Sequence, residues 1–340
     1  MFRADMIRIV RATVVSVVCA VMVTSVSGCG VVDAFLGIHQ APTAQVSVPP
    51  LTVGQANQIL ARVFAAANLG ETTTGPAATA DLRTAYTGEG LAGVSGQVKL
   101  ASVQPALVTS PLLTPRPTLL AVSRGFGFPR FIVAQTVASV GGLPTLHLLI
   151  SPDAATPYRI AMSVEMVPPA TVEPFDALGQ GSSLVTNGAG LAVAPATLLN
   201  LYAAQMAFPA RAVHKPPFAA DSFSDQVRAG AAGVAKAVAS QATFTQVHKV
   251  VPGSEYAVRQ ASGGALVFGA IKCTDSFAVK AGQTVDTAAN KAFVLLSGKK
   301  LITKAASITT IEFVVFAVPR STGQATLVAA REQIVAGSGS

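Results

Sequence analysis

The residues able to do chemistry are few and far apart. His39, His147, His214 and His248 show no His-Glu-x-x-His spacing, and Cys19, Cys29 and Cys273 form no Cys-x-x-Cys pair. No metal-ligand set is therefore legible along the chain. Gly125-x-Gly127 lacks the third glycine of a dinucleotide loop, no glycine-rich loop ends in Gly-Lys-Ser/Thr, and no Gly-x-Ser-x-Gly elbow follows residue 28. Ser297-Gly298-Lys299-Lys300 fits Ser-x-x-Lys, but the partner Lys-Thr-Gly is missing and Gly-Lys-Lys reads as an exposed turn. His147, in Leu146-His147-Leu148, is either a base lining a pocket or a core histidine with its ring satisfied; the second is the expectation. Glu312, in Ile311-Glu312-Phe313, poses the same question, and strand alternation assigns it to the solvent face. Arg124 and Arg130 flank the turn Gly125 to Pro129, where two guanidinium groups can grip an anion or simply solvate a hairpin. Cys273 reads as a small buried hydrophobe. No catalytic, cofactor-binding or metal residue is assigned.

The most specific signal is Ser25-Val26-Ser27-Gly28-Cys29-Gly30. Ahead of it, Arg3, Arg8 and Arg11 form a basic region opposed only by Asp5, and Ala12 to Thr24 is an uncharged apolar run. This is the build of a secretory signal, with an apolar stretch too short to remain as a spanning helix. Val26-Ser27-Gly28-Cys29 resembles the bacterial lipobox. That resemblance implies cleavage before Cys29 and attachment of diacylglycerol to its sulfur, with further acylation of the palmitate type. One chain holds weakly, but each buried CH2 adds roughly 0.8 kcal/mol, so several hold firmly. The expected location is the extracytoplasmic face of a cell membrane.

The chain has 340 residues, 51% hydrophobic and only 12% charged, with a net charge of +8. The basic balance raises nucleic acid as a partner. The chain has no Trp, four Tyr and no Lys/Arg run, so no nucleic-acid partner is expected, and anionic lipid or wall polymer is the better counter-charge. With Cys29 lipidated, Cys273 is left without a disulfide partner. Two uncharged stretches, Phe131 to Pro152 and Ala177 to Ala210, are broken by glycine and proline and are read as soluble structure.

Residues 30–50 read as a tether ending in Pro49-Pro50. Thr52 and Gln55 form a capping box ahead of a helical stripe of Val53, Ala56, Ile59, Leu60, Val63, Phe64 and Ala67, which Gly70 ends. A shorter helix is expected over Ala77 to Tyr86, and Gly88, Gly90, Gly93 and Gly96 read as a loop. Strands are expected at 98–108, 118–123, 131–138, 145–150 and 158–167, separated by turn residues. Val172 to Ala194 reads as a connection. The order then repeats. Pro195 opens one helix and a second begins near Ser224, followed by strands at 243–250, 255–260, 265–278, 307–318 and 324–335, with 288–304 ambiguous. The expectation is an α+β fold in two halves, each of helices packed on a curved antiparallel sheet. The division is a signal peptide at 1–28, a tether at 29–50, a first domain at 51–170, a linker at 171–194 and a second domain at 195–336.

The lipobox, Leu51-Thr52-Val53-Gly54-Gln55-Ala56, Gly127-Phe128-Pro129-Arg130-Phe131-Ile132-Val133-Ala134 and Phe218-Ala219-Ala220-Asp221-Ser222-Phe223-Ser224 together resemble actinobacterial lipoproteins with a large domain of unknown function. The resemblance implies helices on curved sheets like the nuclear transport factor 2 or cystatin folds, and no activity. The leading expectation is a non-enzymatic binding or scaffolding module, held by membrane lipid through acylated Cys29 and docking an anionic envelope component or a protein. The alternatives are a carrier of lipid or small apolar ligands, and a hydrolase or isomerase using a cavity acid and His147.

Overall fold

The first helix of the computed structural model, α1 (Val53–Thr72), begins where the capping box sets it. Gln55 N donates to Thr52 Oγ1 at 3.2 Å and Thr52 N donates to Gln55 Oε1 at 2.9 Å, so two otherwise orphaned donors are satisfied. The structure describes residues 48–73, 75–104, 117–137, 142–211 and 213–340. The signal peptide, Cys29 and nearly all of the tether lie outside these residues, as does the span 105–108 of the first expected strand. Val48–Ser340 form one compact unit.

Helix α2 (Pro76–Ala85) follows, opened by its proline, then α3 (Gly88–Ala101). Four antiparallel strands come next: β1 (Thr118–Val122), β2 (Arg130–Thr136), β3 (Thr145–Ser151) and β4 (Arg159–Glu165), in spatial order β1-β2-β3-β4. The second half opens with α4 (Pro195–Met206) and α5 (Ser222–Val238), the latter capped by Asp221. Its strands are β5 (Ala242–Val250), β6 (Tyr256–Arg259) and β7 (Ala265–Val279). A small excursion of β8 (Val285–Asp286), α6 (Lys291–Ser297) and β9 (Leu301–Ile302) precedes β10 (Ala305–Val318) and β11 (Thr326–Gly339). The second sheet runs β11-β10-β7-β5, with β6 continuing along the same edge of β7 beyond β5. The fold is therefore α+β with antiparallel sheets and six helices among the described residues.

The elements stack helix, sheet, sheet, helix. Phe131, Leu146 and Leu148 of the first sheet meet Leu266, Phe268 and Phe313 of the second in one core. The opposite face of the first sheet packs on α1 and α2 through Leu60, Phe64, Ile132 and Leu149. The opposite face of the second packs on α4 through Leu199, Tyr202, Val267 and Phe316. Sheets covered on both sides need apolar residues on both faces, which is why β3 is buried at six successive positions rather than alternating. Residues 51–170 and 195–336 thus each supply helices and a sheet, and both contribute to that one core.

Two expectations change. Residues 88–101 form helix α3 where a glycine loop and then a strand were expected. Its glycines recur at i, i+3 and i+6, so they share one face. A Cβ on Gly90 would lie 2.6 Å from the Ala161 carbonyl oxygen, and one on Gly96 would run into the Ile334 carbonyl. The helix crosses from β4 onto β11 at a separation only glycine permits. The ambiguous stretch at 288–304 holds α6, capped by Asn290 and ended by Gly298 in the left-handed region at φ 69°.

The connection at 171–194 is irregular, as expected, yet it is hydrogen-bonded to both sheets. Ser182 N donates to Val122 O and Val185 N to Ala257 O, each at 2.8 Å. No helix among the described residues is long and apolar enough to cross a membrane.

Candidate functional site

Strand β5 alternates: Ala242, Phe244, Gln246 and His248 face inward and are buried. Its inner face therefore carries two polar side chains where apolar ones would be cheapest. Register then decides what they meet. His248 pairs with Cys273 on β7, and Cys273 pairs with Thr310 on β10, one pleat from Glu312. Residues scattered over 65 positions of sequence thus come to one spot on the α4 side of the second sheet.

His248 Nδ1 lies 2.8 Å from Glu312 Oε2, and both side chains are fully buried. The other ring nitrogen, Nε2, lies 3.9 Å from Cys273 Sγ. Cys273 Sγ is 3.7 Å from Asp275 Oδ1, which also accepts from Gln246 Nε2 at 2.8 Å. Glu312 Oε1 is buried with no hydrogen-bond partner. One donor atom from each of His248, Cys273 and Glu312 lies within 4.8 Å of the other two. Glu332 stands opposite Glu312 on β11, with much of its surface in water.

The electrostatics of the cluster are those of crowded acid groups. Burial raises the Glu312 carboxyl above its ordinary range, opposed by the hydrogen bond and charge of His248. Asp275 is raised by burial against the bonds from Gln246 and Cys273. Loss of hydration, then the charges of Glu312 and Asp275, push Glu332 up to about 7. The Cys273 thiol is pushed far up by burial and then by the surrounding carboxylates. Cys273, His248 and Glu312 have the order of a nucleophile, base and orienting acid, but a thiol held protonated is not an activated nucleophile. The set is better suited to gathering a cation.

A groove of about 550 Å³ runs beside this cluster, between the end of α4 and the outer edge of β5, with Ala203, Phe208, Gln246 and His248 among its lining. Phe208 exchanges two backbone hydrogen bonds with Gln246, so the segment after α4 pairs briefly with the edge of β5.

The residues singled out from sequence fall elsewhere or differently. His147 is fully buried on the α1 face of β3; Nε2 lies 2.8 Å from Thr136 Oγ1, Nδ1 lies 2.9 Å from Ser163 Oγ, and the Phe64 ring is 4.9 Å away. Burial, then the positive charge of Arg331, lowers its pKa to about 3, so it is neutral at ordinary pH. Glu312 is the correction: it was assigned to the solvent face, but α4 covers that face and leaves the side chain no solvent. Arg124 is engaged by Asp176 at 2.8 Å and by the Gly181 carbonyl. The Arg130 guanidinium lies over the Phe128 ring at 4.2 Å and donates to the Phe126 carbonyl at 2.9 Å. Ser297 ends α6, and its hydroxyl donates to Phe293 O, so it does not start a helix as an acylated serine would.

His248 and Cys273 were not singled out as a pair because ligand motifs are sought as short spacings, whereas antiparallel register unites distant residues. A signal was present: Phe244-Thr245-Gln246-Val247-His248 alternates so as to put two polar residues on the buried face. Compared with known proteins, the chain matches no family model, no curated protein and no solved structure.

Proposed function

We propose that the chain is a lipid-anchored envelope lipoprotein, held through Cys29 at the outer face of a cell membrane, whose folded part works as a non-enzymatic binding or scaffolding module. One observation carries the reading. The Val48 carbonyl, which follows the tether in sequence, accepts from Gly125 N at 3.0 Å, in the β1–β2 hairpin. That hairpin exposes Phe126 at 53% and Phe128 at 40% around Arg130. An aromatic tip with a cation, beside the point where the lipobox segment joins the fold, suits the headgroup layer of an anionic membrane.

The other readings draw less support. The apolar faces of the two sheets are turned toward each other and pack through Leu146, Leu148, Phe268 and Phe313, all at most 1% exposed. His147 has both ring nitrogens hydrogen-bonded inside the core, and its lowered pKa leaves it a weak base near neutral pH. The resemblance to actinobacterial lipoproteins belongs with the proposal. So does the finer likeness of each half to nuclear transport factor 2 or cystatin folds, supported by helices lying on one face of each sheet.

Cell fractionation tests it. Wild type is expected in the membrane fraction with an acylated Cys29 by mass spectrometry, and Cys29→Ser without the acyl mass. A wild-type chain whose Cys29 carries no acyl group refutes the anchor. Reproducible turnover by the purified chain, lost when a buried-cluster residue is changed, refutes the non-enzymatic part.

A further inference from the structure

From the convergence of His248, Cys273 and Glu312 we infer that the second sheet holds a divalent transition-metal ion of the zinc class, bound by the Cys273 sulfur, the His248 imidazole and the Glu312 carboxylate.

The donor set fits. Thiolate, imidazole and carboxylate are the protein ligand types of zinc, and zinc sites combine them in mixed sets. With metal–ligand bonds of about 2.0–2.3 Å, tetrahedral donors stand roughly 3.3–3.8 Å apart. The Cys273 Sγ to His248 Nε2 distance is 3.9 Å, and all three residues offer donors within 4.8 Å. His248 faces Glu312 with Nδ1 and Cys273 with Nε2, so gathering the three donors on one ion requires rotation of these side chains. Asp275 Oδ1, 3.7 Å from Sγ, is the nearest acid for a fourth position.

A second, independent observation points the same way. A carboxylate has about four acceptor sites. Glu312 is wholly buried, uses Oε2 on His248, and leaves Oε1 with no partner at all. A buried carboxylate oxygen is ordinarily paired or on a metal. The charges acting on Glu312 are those of His248, which lowers its pKa, and Asp275, which raises it, and Cys273 and Glu332 add a thiol and a further acid beside it. A divalent ion answers this excess of acceptors. It displaces the thiol proton into solvent, so binding strengthens as pH rises. The groove at the outer edge of β5 runs beside the buried His248. The site lies in the second sheet, and the lipid anchor neither requires nor excludes it.

Cobalt(II) titration of the full chain in detergent, after chelator treatment, reads the site directly. The expected result is one ion per chain and a thiolate-to-cobalt charge-transfer band. The band persists in Cys19→Ala and Cys29→Ala and disappears in Cys273→Ser. Glu312→Gln is expected to weaken binding at least about tenfold. Because variants of buried residues can fail to fold, X-ray absorption on zinc-loaded wild type serves as the second measurement, with one sulfur at about 2.3 Å and nitrogen or oxygen at about 2.0–2.2 Å. No stoichiometric uptake, a band that survives Cys273→Ser, or a shell without sulfur overturns the inference. So does rapid alkylation of Cys273 that zinc does not slow, which would assign the cluster to nucleophilic chemistry.

Discussion

Gly96→Ala asks whether α3 is truly seated on β11. In a free helix the change is favourable by about 1 kcal/mol, because alanine is the better helix former. Here the new Cβ meets the Ile334 carbonyl and lies 3.1 Å from Val335 Cα. Both atoms are backbone, and Ile334 is held in the β10–β11 ladder opposite Thr310, so the strand cannot retreat without losing pairing. The helix cannot retreat either without lifting Gly90 off Ala161. Overpacking of this kind costs roughly 1–3 kcal/mol, and two backbones that cannot yield argue for the upper end. The net expectation is destabilisation by about 2 kcal/mol. Gly230→Ala is the control: it lies exposed in α5 with nothing within 4 Å of a new Cβ, so about 0.4–1 kcal/mol of stabilisation is expected. Two chemically identical changes should thus differ by about 3 kcal/mol, roughly two factors of ten in the folding constant. Equilibrium urea unfolding followed by circular dichroism measures both, given similar slopes. If Gly96→Ala raises the midpoint as Gly230→Ala does, the close approach of α3 to β11 is wrong.

His147→Gln is expected to flatten the acid limb of stability. The folded ring titrates near 3 and the unfolded one near 6.5, so below 6.5 the unfolded chain binds the extra proton and wild type loses about 1.4 kcal/mol per pH unit toward pH 3. The loss from this group saturates at about 5 kcal/mol. Parallel acid limbs for the two proteins in urea titrations at several pH values would refute this. Asp221→Ala removes the α5 cap, whose Oδ1 accepts from Ser224 N at 2.7 Å and from the buried Tyr202 hydroxyl at 3.0 Å. Loss of the cap, about 1 kcal/mol, and an orphaned hydroxyl, about 1–3 kcal/mol, give roughly 2–4 kcal/mol, which Asp221→Asn should largely restore. A change below about 1 kcal/mol in the same unfolding assay contradicts that pairing. Phe126→Ala with Phe128→Ala should reduce the binding of a Cys29→Ser chain to anionic vesicles in flotation without shifting its unfolding midpoint; unchanged flotation removes the hairpin from the membrane contact.

The sequence by itself determined the elements whose signals are local. Thr52 and Gln55 start α1, Pro195 starts α4, and β-branched runs between turn residues mark β2, β5, β7 and β10 within a few residues. It determined the α+β class too, because helices followed by successive short strands favour antiparallel sheets. What it could not determine depends on neighbours. Gly90, Gly93 and Gly96 read as a loop by propensity, and only the nearness of β4 and β11 makes a glycine-faced helix the lower-energy solution. Glu312 read as solvent-facing because alternation gives one wet face to a strand, whereas α4 covers the outer face of β10 there and leaves the side chain no solvent. The buried cluster is the clearest case. His248 shows its inward direction by period, but its meeting with Cys273 and Glu312 follows from the register of three strands, and register is fixed by the packing of whole sheets rather than by any residue's own preference.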